Sequence, residues 1–285
     1  MTGQRKKSSH FIFVLILSLV FSGCVRDRAV KKSQITTKIP REISEEIEIG
    51  EKIHAEILSN FYTYTDPLVV AYVQQIGQAL ARQAKRQEIP YRFTVLYHDN
   101  VYATSAPGGH VYITTGFLNM LDNEAELAGV IAHEVGELQF RDPQLSQARK
   151  ALQAVSQAGA VVGPLLGEIG ALAMLGLTLV HAAVAVNQMT PEERVMKSDA
   201  YALQYMTEAD FDPQGLVDVL YKFLHTETEM TPYFYDYYQI RPITENRFEK
   251  MKDAFSKLPL EGRTFRTNRE IYQDATKGIR EIYAT

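Results

Sequence analysis

The sequence predicts an α+β fold, mostly α, built as one domain over residues 44–285. Three observations carry this. Helix-opening signals recur along the chain, each ahead of apolar residues at helical spacing. Two strand-like stretches, YRFTVLY at 91–97 and HVYITT at 110–115, stand close together early in the chain. The 285 residues are 46% hydrophobic and 22% charged, which leaves ample apolar material for a sizeable core. A formal net charge of -4 gives no electrostatic case for nucleic acid as a partner. The one cysteine, Cys24, excludes an internal disulfide and a cysteine-built zinc site.

The first element is not part of the fold. Arg5, Lys6 and Lys7 precede an apolar run from Phe11 to Phe21 that is short for a membrane span, and Ser22-Gly23-Cys24 follows. This is the layout of a signal peptide over residues 1–23. A cysteine at that point resembles the lipobox of bacterial lipoproteins, although Phe21 stands where leucine is usual. The resemblance implies that Cys24 is lipidated and holds the chain to a membrane. A plain N-terminal anchor with an incidental Cys24 is the competing reading, and the shortness of the run counts against it. Val25, rather than aspartate, follows the cysteine. The implied location is the cell envelope, on the periplasmic side of the outer membrane in a Gram-negative cell. Residues 24–43 are polar and aperiodic and read as a tether.

The domain opens at Ser44-Glu-Glu, a capping signal followed by Ile53 and Ile57. Asp66-Pro67 pairs an N-cap residue with proline at the first helical position, and that helix runs through Val73, Ile76 and Leu80 toward Ala84. The two strands follow, the second entered through Pro107-Gly-Gly. Asp122-Asn-Glu opens the next helix. Residues 155–187 are rich in Ala, Gly and Leu. Within them, 169–186 is long enough for a membrane segment, but its Ala/Gly content, His181 and the adjoining Glu168 favour a buried helical hairpin. Thr190-Pro191 and Asp212-Pro213 start two more helices, and residues 242–258 form the last long one.

The helix after Asp122 carries the segment IAHEVGELQFRD, residues 131–142. In the pattern HExxH, two histidines four apart project from one helix face onto one metal. Here His133 and Glu134 are in place, but the fifth position is Glu137. An HExxE can arise by chance on a solvated acidic helix face. The apolar LAGVIA before it disfavours that, as does the order of the segments YRFTVL, APGGHVYITTGFLNML, NEAELAGVIAHEVGE, SDAYALQYM and RPITENRF. With these segments the chain resembles metallopeptidase family forty-eight, the minigluzincins of the HtpX and CAAX prenyl protease type, from about Glu46 to Phe255.

The resemblance implies a zincin-like minigluzincin fold, with a small sheet and an active-site helix. It places His133 at the first zinc ligand, Glu134 at the general base and Glu137 where a second ligand histidine belongs. Val195 falls at the third ligand, a glutamate in the family, and Asp199 at an aspartate that orients a ligand histidine. Asp142 and Arg241 each replace a family histidine. Gly109, His110, Val111 and Tyr112 fall in an edge strand on which an extended substrate would pair.

Catalytic zinc needs three protein ligands and an open position. Glu137 offers a carboxylate, Val195 offers nothing, and Asp199 is short. Without an ion, Glu134, Glu137 and Asp199 crowd negative charge around His133, and Arg241 or Arg141 is expected to answer it as a charge substitute. His54, His98, His181 and His225 have no partner at metal spacing, and the aromatic run at 233–238 reads as a packed loop before a peptide surface.

The expected function is that of a lipid-anchored envelope homologue of zinc metalloendopeptidases, without zinc or proteolytic activity. It would bind peptides or scaffold a partner in envelope protein quality control, the partner being an extended polypeptide or an envelope protein. The alternative is an active zinc metalloendopeptidase with an atypical ligand set, in which Glu134 activates a zinc-bound water. A third reading is a structural lipoprotein whose cleft is filled by its own chain.

Overall fold

Helix α1 spans Arg41–Asn60 and buries Ile43, Glu46, Ile49, Gly50, Ile53 and Ile57, a stripe at three- and four-residue spacing. The computed structural model describes residues 40–140, 191–225 and 243–284. The leader, Cys24, Arg141, Asp142, the 155–187 run, the aromatic run at 233–238 and Arg241 lie outside the described residues. The chain divides into two units, Met1–Lys38 and Ile39–Thr285, and every described residue belongs to the second. Helix α1 opens one turn before the expected Ser44. Pro40 has no N–H to satisfy and stands at the cap position, while the Ser44 hydroxyl turns back toward the Pro40 carbonyl at 3.4 Å.

Helix α2 spans Pro67–Ala81, and the Asp66 carboxylate accepts from the Leu68 N–H at 2.9 Å, as the sequence predicts. The sheet has three strands, β1 (Arg92–Leu96), β2 (Ala103–Ala106) and β3 (His110–Thr114), in the order β1-β3-β2. β1 runs parallel to β3, from Arg92↔His110 to Leu96↔Thr114. β2 runs antiparallel to β3, from Ala103↔Ile113 to Ala106↔His110. The β2–β3 turn needs its glycines. Gly109 sits at φ +92, and a Cβ there would lie 2.3 Å from the Pro90 carbonyl oxygen.

This topology corrects one expectation. The segment Gly109, His110, Val111 and Tyr112 does not form an edge strand, because β3 is paired on both sides and all five of its residues are buried. β3 is flanked by β1 and by β2, and the β2 sequence ATSA holds one β-branched residue and no aromatic and so gives little strand signal.

After the short α3 (Thr115–Met120) comes α4 (Glu124–Glu137), buried along its whole length. Asn123 caps it by accepting from the Glu126 N–H at 3.0 Å, and the Glu126 carboxylate accepts from the Asp122 N–H at 2.8 Å. Around α4 pack α2, α5 (Pro191–Glu208), α6 (Gln214–His225) and strand β2. Helix α7 (Glu245–Ser256), capped by Thr244, packs on α5 and α6. Two short helices not expected from the sequence close the described chain, α8 (Arg269–Ala275) and α9 (Lys277–Tyr283). Arg86 joins the two ends of this arrangement. Its guanidinium donates to both oxygens of Glu46 in α1, at 3.0 and 2.6 Å, and to the Leu138 carbonyl just beyond α4, at 3.1 Å. Among the described residues no helix is long and apolar enough to cross a membrane.

Candidate metal centre

His133 and Glu137 stand one turn apart on α4, and both face α5. The His133 Nε2 lies 3.9 Å from Glu137 Oε1. The two helices come close because position 136 is glycine: a Cβ on Gly136 would lie 2.7 Å from the Ser198 carbonyl oxygen. That approach brings three α5 residues, Arg194, Ser198 and Asp199, onto α4.

Asp199 lies against the His133 ring. Its Oδ1 lies 2.7 Å from His133 Nδ1, which fixes the ring and leaves Nε2 toward Glu137 when Nδ1 carries the proton. Arg247 of α7 grips the same carboxylate with two hydrogen bonds, Nε to Oδ2 at 2.8 Å and Nη2 to Oδ1 at 2.9 Å. All three side chains are buried. Burial by itself would raise the Asp199 pKa. The charges of Arg247 and His133, and their hydrogen bonds, overturn that and hold the carboxyl well below the usual carboxylate range.

Glu137 is met differently. Arg194 donates from Nε to Glu137 Oε2 at 2.7 Å, and its Nη2 reaches the Glu137 carbonyl at 3.5 Å. The Ser198 Oγ lies 2.6 Å from Glu137 Oε1 and 3.1 Å from the Arg194 carbonyl, and its single proton goes to the nearer, charged acceptor. The Arg194 guanidinium also lies 5.6 Å from the centre of the Phe140 ring. Both Glu137 oxygens are thus committed to donors from α5.

These residues do not fit a catalytic zinc. His133 supplies one imidazole. Glu137 supplies a carboxylate already held by a guanidinium and a hydroxyl. The third position is Val195, 6% exposed and without a donor atom. Among the described residues no group of three His, Cys, Asp or Glu side chains is placed to hold a metal ion. Glu134, fully buried, sits on the same helix between the two.

Arg194, Ser198 and Arg247 were not singled out from the sequence. Arg194 and Ser198 flank Val195 and precede Asp199, so a helical-face reading of that segment would have placed them with Asp199. Arg247 lies inside RPITENRF, where attention goes to Arg241, which lies outside the described residues. Of the other histidines, His110 is central in the sheet and 1% exposed, and its ring stacks on His54 of α1 at 4.7 Å. His54 Nδ1 lies 2.9 Å from the Tyr112 hydroxyl, while Glu51 and Arg92 pair at the rim of this cluster. Burial, then the neighbouring His54, pushes the His110 pKa down to about 4. His98 accepts from the Asn100 N–H, and His225 stacks on Tyr221, so neither stands in a metal-binding group.

A histidine and a glutamate one turn apart on α4, with an aspartate of α5 on the histidine, sit beside the three-stranded sheet. Residues 67–254 match peptidase family M48, and the chain belongs to that family. Among individual proteins it is similar to the beta-barrel assembly-enhancing protease of Escherichia coli K12, 25% identical over 186 residues, covering 64% of this chain and 38% of that protein. The protein of the same name from Yersinia pestis matches at 25% over 186 residues, covering 63% and 38%. The protease HtpX homolog of Aquifex aeolicus is 37% identical over 73 residues, a quarter of this chain and 24% of that one. The chain thus spans under two-fifths of the length of these relatives.

Proposed function

We propose that this M48 family member works without zinc and without proteolysis, as a polypeptide-binding or scaffolding protein of the cell envelope, held to the membrane through lipid on Cys24. The observation that carries the reading is the third ligand position: Val195 is a buried hydrocarbon, so the described residues fall short of the donor count that catalytic zinc requires. The names of the relatives supply the setting, assembly of β-barrel proteins, and an extended envelope polypeptide is the ligand that suits it. A strand of such a polypeptide would add to the sheet at β2, the outer strand beside α4.

One observation favours the alternative, an active zinc endopeptidase. The His133–Asp199–Arg247 arrangement that would orient a ligand imidazole is complete. Zinc content separates the two readings. The purified chain and a His133→Ala variant are loaded with zinc, dialysed and assayed for bound metal. The proposal expects far less than one zinc per chain and no difference between the two. Near-stoichiometric zinc that falls in the variant would overturn it.

A further inference from the structure

We infer that Arg194 is the chain's own replacement for a metal ion, a fixed guanidinium that closes α4 against α5 through Glu137 and keeps divalent cations out of the site. The inference rests on the metal-free reading above and explains how such a site holds together. Two carboxylates, Glu137 and Asp199, lie against His133 on two packed helices, and Glu134 is buried beside His133 in the sequence of α4. Burying that much negative charge without compensation is costly. Arg247 answers Asp199. Arg194 answers Glu137, the residue that departs from HExxH.

The geometry distinguishes this from an ordinary surface ion pair. The Arg194 and Glu137 side chains are only 17% and 8% exposed. Three donors from a single helical turn of α5 converge on one α4 residue: Arg194 Nε and Ser198 Oγ on the two carboxylate oxygens, Arg194 Nη2 on its carbonyl. The Phe140 ring covers the guanidinium from the α4 side. A histidine at position 137 would present one acceptor nitrogen at most and no charge for a guanidinium to neutralise. Glu137, Arg194 and Ser198 therefore form a matched set, and Val195, between the two donors in the sequence, offers an ion no further ligand. Glu137 is occupied as a ligand before any metal arrives.

A double-mutant cycle tests the closure. Arg194→Met, Glu137→Gln and the pair are compared by urea unfolding of the full chain. A coupling of at least tenfold in the unfolding constant, about 1.4 kcal/mol, is expected between the two positions. Additive effects would overturn the inference. Cobalt(II) binding, followed by its visible absorption, tests the exclusion on folded protein. It uses the milder Arg194→Lys and Ser198→Ala exchanges as well as Arg194→Met. Variants that loosen Arg194 should take up cobalt more strongly than the wild type, by tenfold or more for Arg194→Met. Equal uptake by wild type and variants would overturn the exclusion. The two readings fail separately. Zinc bound by the wild type with the Arg194–Glu137 coupling intact sinks the metal-free function and leaves the closure standing. A zinc-free chain with additive mutations does the reverse.

Discussion

Replacing Arg247 with Met tests whether the buried ion pair behind His133 is a structural centre of the fold. The substitution keeps much of the aliphatic bulk of a side chain that is almost fully buried, and removes both hydrogen bonds to Asp199. Breaking one side of a buried charge pair costs about 3–5 kcal/mol, because the remaining charge is left desolvated. The lower end applies, since His133 stays 2.7 Å from the same carboxylate and can share the load. A loss of about 3 kcal/mol lowers the melting temperature of a domain of this size by roughly 6–12 °C. Urea unfolding followed by circular dichroism reads it directly, with an unchanged slope showing that the denatured state is not altered. Adding Asp199→Leu to Arg247→Met removes the stranded carboxylate and should return part of the loss. A single-variant loss below about 1 kcal/mol, or a double variant worse than the sum of both singles, would refute the reasoning.

Two further outcomes are expected. His110 is held to about 4 when folded against about 6.5 when unfolded, so the unfolded chain binds the extra proton between those values. Its contribution is fully present above pH 6.5 and is lost as the pH falls toward 4, on the order of 3 kcal/mol; His110→Phe should flatten that part of a stability–pH curve, and an unchanged slope would count against it. Gly136→Ala places a methyl 2.7 Å from the Ser198 carbonyl and must push α5 away from α4, costing about 1–3 kcal/mol by thermal unfolding.

Much of this molecule was legible in its sequence, for identifiable reasons. Asp66-Pro67 and Asp122-Asn-Glu are local signals, and both caps form as read, because a cap is decided within one turn of chain. The HExxE segment and the SDAYALQYM segment gave His133, Glu137 and Asp199, since spacing along a helix fixes which side chains share a face. Two things were hidden. Strand β2 lacks the composition of a strand and owes its place to the pairing with β3, so the edge was read one strand too late. Arg241 and Arg141, from which a cation was expected, lie outside the described residues, and Arg194, a donor to Glu137 among the described residues, was not foreseen. Which cation reaches a buried carboxylate is settled by how closely two helices approach, and here by Gly136. Sequence order carries little of that information.

The grip of Arg86 on Glu46 and on the Leu138 carbonyl has a mechanical consequence. Helix α1 is the first described element of the chain. Its Glu46–Arg86 pair is directional, unlike its apolar contacts, and ends at the Leu138 carbonyl, one residue past Glu137. A displacement of α1 would therefore be felt at the helix that bears His133, Glu134 and Glu137, and Arg86 is the link at which that coupling would be cut.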